Sequence, residues 1–171
     1  MKISAPLRCR LRSKMSFSLI AAIGKNGELG KNGELIFHIK EDMQFFRETT
    51  TGHKVVMGRK TWESFPGKLK DRENIVISRS EVKGADKTIH DIDKFITENE
   101  NTDEEIFIIG GGQIYEAFLP HAKTLYLTEI DATSDADTYF PTFDKSKYDK
   151  EIIKKGQSHD LIYAFAKYSL K

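Results

Sequence analysis

The sequence predicts an α/β fold built on a largely parallel sheet, and three observations lead there. Short apolar runs recur along the 171 residues at 17–23, 54–57, 74–77, 106–109 and 125–130, and runs of this kind read as strands, those rich in Val and Ile as strands buried on both faces. Segments with helical spacing lie between several of them, at 39–50, 60–65, 92–98 and 113–119. Strands alternating with helices make a sheet that helices cover. The last strand candidates, 125–130, 151–154 and 161–168, have no helix between them, so an antiparallel pair is expected at one edge.

Each element has its own justification. The first strand, 17–23, runs into Gly24-Lys25-Asn26-Gly27-Glu28-Leu29, repeated at once as Gly30-Lys31-Asn32-Gly33-Glu34-Leu35. Two six-residue copies are too few and too short for a solenoid. Asn-Gly in each copy marks a loop of turns, placed to act as a lid over a site or to serve as plain surface. In the helix 39–50, Ile39, Met43 and Phe46 form one face, while Lys40, Glu41, Gln44, Arg47 and Glu48 cover the rest. Residues 98–105 are polar and acidic and read as a solvated connection. No composition shift divides the chain, so residues 15–171 are expected to form one domain.

Composition narrows the function classes. Apolar residues make up 39% and charged residues 31%, as in ordinary globular proteins, and no apolar run approaches a membrane span. The net charge of +1 hides an asymmetry: Lys2, Arg8, Arg10, Arg12 and Lys14 leave 22 basic against 26 acidic residues in the remainder. A mildly acidic body argues against a nucleic-acid partner. Cys9 is the one cysteine, which excludes an intrachain disulfide and makes a reducing, cytoplasmic setting the expectation. Residues 1–14 lack the apolar segment of a secretory signal. Their Arg and Ser without acids is like a transit peptide, but the segment is short and Pro6 interrupts it. A disordered basic extension, or a start placed upstream of the true one at Met15, is the expectation.

The chemistry gathers at strand ends. In the run from Ile106 to Tyr115, a buried strand passes through Gly110, Gly111 and Gly112 into a helix that begins Gln113-Ile114-Tyr115. Glycines let backbone approach a ligand closely, and a helix start offers free N–H groups to an anion such as pyrophosphate. This is not the spaced dinucleotide fingerprint, and a tight turn with nothing bound is the alternative. Gly58, Arg59, Lys60 and Thr61 form a second strand–glycine–helix junction, and Ser78-Arg79-Ser80 follows a third strand. Ligands of open α/β sheets bind outside the carboxyl ends of strands, so three such ends point to a ligand carrying several phosphates. Asp42 lies inside the apolar stripe of its helix. A carboxylate there is costly unless a partner satisfies it. It reads either as a first-turn acid eased by the helix dipole or as a buried acid that binds a cationic or amidine-like group. Phe37, Phe45 and Phe46 nearby suit a flat aromatic ligand.

Six segments, taken together, carry a family resemblance: 18–22, the Asp42 helix with Phe46, 57–64, 72–75, 109–115 and 137–141. In order and spacing the chain resembles dihydrofolate reductase of the compact bacterial type, over roughly residues 16–170. The resemblance implies a mixed sheet of eight strands flanked by four helices, mostly parallel with an antiparallel C-terminal edge. It implies NADPH along the strand ends, with Ala22 and the lid residues Leu29, Gly30, Lys31, Asn32 and Gly33 near the nicotinamide. Gly110, Gly111, Gly112, Gln113, Ile114 and Tyr115 would lie at the pyrophosphate, with a cis bond between Gly110 and Gly111. Gly58, Arg59, Lys60, Thr61, Ser78 and Arg79 would hold the adenosine end, the cations selecting for a 2′-phosphate. On the substrate side, Asp42 would bind the pterin 2-amino group and N3, with Thr128 bonding the carboxylate. Ile20, Leu35, Phe46 and Leu69 would line the pocket, and Arg72 would take the α-carboxylate of the glutamate tail. The implied reaction reduces 7,8-dihydrofolate to tetrahydrofolate, with hydride to C6 and a water-borne proton to N5. Antifolate-like small molecules would bind the same site. No metal is implied, and a monomer is expected.

The chain departs from the family pattern before the acid, where Leu35-Ile36-Phe37-His38-Ile39-Lys40 stands in place of a Leu-Pro-Trp run followed by a second proline. Phe37 replaces a tryptophan whose indole N–H holds a water near the acid. His38 can be read as a proton donor, and a surface residue at the helix entry is the expectation. Two rival readings exist. The reductase of riboflavin biosynthesis shares the fold and the NADPH site but needs neither Asp42 nor Arg72. A nucleotide-binding regulator or an inactive homologue would not need an intact acid, lid and glycine turn.

Overall fold

The computed structural model describes residues 15–171; the expected basic extension at 1–14, with Cys9, lies outside them. In chain order the elements are β1 (Phe17–Ile23), β2 (Glu28–Lys31), β3 (Glu34–Leu35), α1 (Lys40–Thr50), β4 (Lys54–Gly58), α2 (Arg59–Ser64), β5 (Glu73–Ile77), β6 (Lys87–Ile89), α3 (Ile92–Asn99), β7 (Ile106–Gly110), α4 (Gly112–Phe118), β8 (Ala122–Ile130), β9 (Thr138–Tyr139), β10 (Tyr148–Ser158) and β11 (Leu161–Leu170). Eight strands form one sheet in the order β10-β11-β8-β1-β7-β4-β5-β6. β11 is the reversed strand, antiparallel to β10 and β8. Every other pair in the sheet is parallel. This is the α/β architecture expected, with its antiparallel C-terminal edge and four helices.

The continuous apolar runs are explained by burial on both faces. Alternate residues of a strand point to opposite sides. Phe17 and Leu19 of β1, Ile106 and Ile108 of β7, and Leu125 and Leu127 of β8 pack on one side with Phe95 and Ile96 of α3 and Tyr115 and Phe118 of α4. The Phe17 and Phe118 rings meet edge-on at 4.9 Å. On the other side Ile20, Val55, Met57, Val76, Phe107 and Ile109 pack with Phe45 and Phe46 of α1 and Trp62 of α2. A third cluster of Ile39, Ile130, Tyr163 and Phe165 sits under α1, with Ala22, Phe37 and Phe45 against it. Phe45 stacks on Phe165 at 4.4 Å with the planes 8° apart. Burying each such ring contributes roughly 1.5–3 kcal/mol.

Several expectations are corrected. Met43 is 50% exposed: the face of α1 turned to the sheet runs through Ile39, Phe45 and Phe46, and Met43 stands off it. The repeated loop is a hairpin in which β2 pairs with β3 and with β9. Its turn is Asn32-Gly33 at φ 54° and 79°, the left-handed pair that tight hairpins favour. The 98–105 connection is latched rather than merely solvated. Ser16 Oγ lies 2.9 Å from Thr102 Oγ1, and Ser18 Oγ donates to the Glu105 carboxylate at 2.7 Å. β10 is longer than the apolar signal at 151–154 indicates, because every one of its positions is at least partly exposed and cross-strand pairing defines it.

Candidate active site

The carboxyl ends of β1, β4, β5 and β7 open at one edge of the sheet, and two groups of expected site residues gather there. At the end of β7 the Gly110–Gly111 peptide is cis, as the resemblance implies, and α4 begins at Gly112. A Cβ placed on Gly111 would meet nothing closer than Thr61 Oγ1 at 3.5 Å, an ordinary contact. The protein's own packing therefore does not demand a glycine at 111, and the backbone there is left open to a ligand.

Cations flank that opening. Arg59 Nη1 donates to Ser80 Oγ at 2.7 Å and Arg59 Nε donates to Glu63 at 2.9 Å. These bonds tie the start of α2 to the loop after β5, so Arg59, Ser78 and Arg79 share one surface. Lys60 and Arg79 are exposed, with no acidic partner within ion-pair distance among the described residues. His90 belongs to the same region and carries no motif that marks it in the sequence. Its Nδ1 lies 2.8 Å from Ser78 O and its Nε2 lies 3.2 Å from the Glu81 carboxylate. Both partners only accept hydrogen bonds, and the Ser78 carbonyl, with Glu81 adding, holds the imidazole pKa above its ordinary value. Among the described residues no group of three or more His, Cys, Asp or Glu is placed to hold a metal.

The second group centres on Asp42, in the first turn of α1. Thr128 Oγ1 donates to Asp42 Oδ1 at 2.6 Å. Thr128 is buried on β8, where it pairs with Ala22 of β1, so the end of the first strand, the acid and the hydroxyl lie side by side. Burial raises the Asp42 pKa, and the Thr128 hydrogen bond opposes that rise. Ile20, Phe46 and Leu69 belong to one apolar cluster next to it. Tyr115 is buried with its hydroxyl donating to Ile20 O at 2.7 Å. Burial and the charge of Asp42 push its pKa up, so the hydroxyl at the base of α4 feels the acid across the sheet. Phe37 packs against Ile39, Ile130, Tyr163 and Phe165 with Ala22. The lid residue Leu35 is 51% exposed and lies outside these clusters. His38 is exposed at the start of α1, as expected.

Arg72 closes the far end of the cleft. Its Nε donates to Lys70 O at 2.9 Å, its Nη1 to Thr50 Oγ1 at 3.1 Å, and its guanidinium lies 5.8 Å from the centre of the Phe46 ring. No carboxylate of the described residues lies within ion-pair distance. Partial burial lowers its pKa, Asp71 opposing and Arg47 adding, yet an Arg stays charged at any working pH. A fixed guanidinium with free donors is suited to bind an incoming carboxylate. The residue that positions it is Asn74, which is fully buried. Its side-chain amide donates to Leu69 O and Arg72 O at 2.9 Å and accepts from the Leu69 N–H at 3.0 Å. Asn74 thus holds both Leu69 and Arg72. The signal was available: a polar amide stands inside an otherwise apolar buried strand, Asn74-Ile75-Val76-Ile77.

The dihydrofolate reductase family model matches residues 16–170. The chain belongs to the dihydrofolate reductase family. The chain is 38% identical to the dihydrofolate reductase of Haemophilus influenzae over 138 residues, covering 81% of this chain and 86% of that protein. It is 35% identical to the dihydrofolate reductase of Bacillus subtilis over 160 residues, covering 90% and 94%. It is 37% identical to that of Neisseria meningitidis over 164 residues, covering 90% and 98%. Membership in the dihydrofolate reductase family makes the protein an enzyme and implies a nicotinamide cofactor. The open glycine backbone and the flanking cations fit such a group.

The position of Asp42 has a measurable cost. Its folded pKa is raised, so the native state holds the proton more tightly than the unfolded chain does. Stability is therefore lost as pH rises from the ordinary Asp value of 3.8 through the folded pKa, by about 1.4 kcal/mol per unit of difference. Asp42→Asn is expected to be more stable than wild type at pH 7, with the gap narrowing as pH falls through the raised folded pKa and closed below pH 3.8. Denaturant melts across that range check this; a variant no more stable at neutral pH contradicts the assignment of a partly buried, raised-pKa acid.

Proposed function

We propose that this chain reduces 7,8-dihydrofolate to 5,6,7,8-tetrahydrofolate with NADPH, supplying one-carbon metabolism. The observation that carries the reading is the Asp42–Thr128 pair: an acid with a raised pKa, bonded at 2.6 Å, set beside the strand ends where a cofactor fits. When bound, the nicotinamide supplies the hydride taken up at C6 of the pterin. Asp42 accepts from the 2-amino group and N3, and its charge favours a protonated pterin, the proton at N5 coming from water. Thr128 orients the carboxylate. Ile20, Phe46 and Leu69 exclude bulk water from the ring, with Leu35 half-exposed on the lid, and Arg72 pairs with the tail carboxylate. Ala22 and the lid residues Leu29 to Gly33 cover the nicotinamide end. Gly110 to Tyr115 lie at the pyrophosphate, and Gly58 to Thr61 with Ser78 and Arg79 hold the adenosine phosphate. Phe37 has no polar atom to hold a water, so it shapes the pocket by packing alone. Antifolate-like small molecules with a cationic or amidine-like group fit the same acid.

The riboflavin-pathway reductase shares the cofactor end. Against that reading stands Arg72, held by Lys70, Thr50 and Asn74 and left with free donors, which a substrate without a tail carboxylate would not use. We further read residues 15–171 as one domain that acts as a cytoplasmic monomer. Among the described residues no helix is long and apolar enough to cross a membrane.

Two measurements test the function. Loss of absorbance at 340 nm on mixing NADPH, dihydrofolate and the protein is the expected activity. Arg59, Lys60 and Arg79 should make NADPH preferred over NADH by at least tenfold in kcat/KM, since each charge-assisted contact contributes roughly 1.5–3 kcal/mol. Equal efficiency with both cofactors overturns the adenosine-end assignment. In Gly111→Ala the methyl meets only an ordinary protein contact, so the melting transition should hardly move while NADPH affinity falls at least tenfold. Unchanged affinity in the folded variant contradicts the pyrophosphate role.

A further inference from the structure

Glu28 is a buried carboxylate that the proposed reaction does not use. It begins β2, the first strand of the lid, and is 1% exposed. Each of its oxygens takes one backbone N–H: Oε1 from Asn26 at 2.5 Å and Oε2 from Ser134 at 3.0 Å. Asn26 lies in the turn between β1 and β2. Ser134 lies in the segment between β8 and β9, 106 residues away in sequence. No cation lies within ion-pair distance of it among the described residues, so backbone donors hold the charge. Space for it exists because residue 24 is glycine: a Cβ there would lie 2.8 Å from Glu28 Oε2 and 2.9 Å from Ala132 O, closer than a real Cβ can sit.

A carboxylate out of water is costly, and an apolar side chain would fill the same strand position at less cost. What the carboxylate adds is a tie between two segments. Lys25 N donates to Ala132 O at 2.9 Å, Asp137 N to Gly30 O at 3.0 Å and Phe140 N to Gly27 O at 2.8 Å. Farther along the lid, Asn32 N donates to Asp137 Oδ2 at 2.9 Å on the exposed surface. The lid therefore has a buried anchor at its base and an exposed one near its tip. Residues 31–35 are all exposed.

We propose that Glu28 is a positioning residue for the cofactor site: its carboxylate fixes the base of the lid to the 131–137 segment and so sets where residues 29–33 stand over the nicotinamide end. The bond to Ser134 fixes the lid's register. This inference rests on the NADPH reading above.

Glu28→Gln in the full chain tests it. The side chain keeps its size, but one accepting oxygen becomes an NH2 that cannot accept, so one backbone N–H loses its partner. Three readouts are taken: amide exchange at Asn26 and Ser134, affinity for NADPH, and affinity for 2′,5′-ADP, which carries the adenosine phosphates without a nicotinamide. The expected result is faster exchange at one or both amides, NADPH binding weakened about tenfold, and 2′,5′-ADP binding unchanged. NADPH affinity unchanged in a folded variant with a freed amide overturns the positioning role. Equal losses for both ligands also overturn it, since they mark general destabilisation. If Glu28→Gln fails to fold, Glu28→Asp, one methylene too short to reach both amides, is read by the same three measurements. Wild-type protein that binds 2′,5′-ADP but not NADPH defeats the cofactor reading itself, which is a different failure from an insensitive variant.

Discussion

Asp42 sits where α1 crosses β8, and the cost of leaving a carboxyl there constrains the structure around it. The charged form loses water on burial and regains one hydrogen bond, from Thr128 at 2.6 Å. It has no cation within ion-pair distance among the described residues, so its proton affinity rises. The first turn of a helix offsets part of the cost through the dipole. The remainder is a standing preference for a ligand that brings N–H donors to the carboxylate. Thr128 can serve it because β8 pairs in register with β1, Ala22 opposite Thr128, and Phe45 stacked on Phe165 fixes the height of α1 over the sheet.

The proposed cofactor end depends on the same sheet in a different way. Residues buried on both faces hold the strands rigidly, so their carboxyl ends can carry open backbone and exposed cations without losing position. Tyr115 links the two ends, since its hydroxyl on Ile20 O ties α4 to β1. Arg72 is held from three directions yet paired with no acid. Its donors are oriented before any ligand arrives, which lowers the entropy lost on binding.

Much of this was legible in the residues because the informative signals were local. Runs such as Ile106-Phe107-Ile108-Ile109 read as strands with both faces covered. The acid in an apolar stripe announced itself by its cost. What escaped was set by tertiary contact. β3 and β9 are two residues each and β6 is three, too short for any periodicity. Met43 matched the helical spacing yet stands exposed, because the angle of α1 over the sheet, not the spacing, chooses which residues turn inward. Glu28 and His90 look like ordinary surface residues in sequence. Their partners, Ser134 and Ser78, become visible only when distant segments are brought together. Asn74 was within reach, since a buried amide in an apolar strand always needs an explanation.

In the mechanism proposed above, the Asp42 charge promotes protonation of the bound pterin. The pH dependence of turnover in Asp42→Asn, compared with wild type, tests it most directly. The expected rate is orders of magnitude below wild type at pH 7, recovering as pH falls and dihydrofolate arrives already protonated, with NADPH affinity almost unchanged throughout. Near-normal turnover at pH 7, or a loss that does not recover in acid, would contradict it.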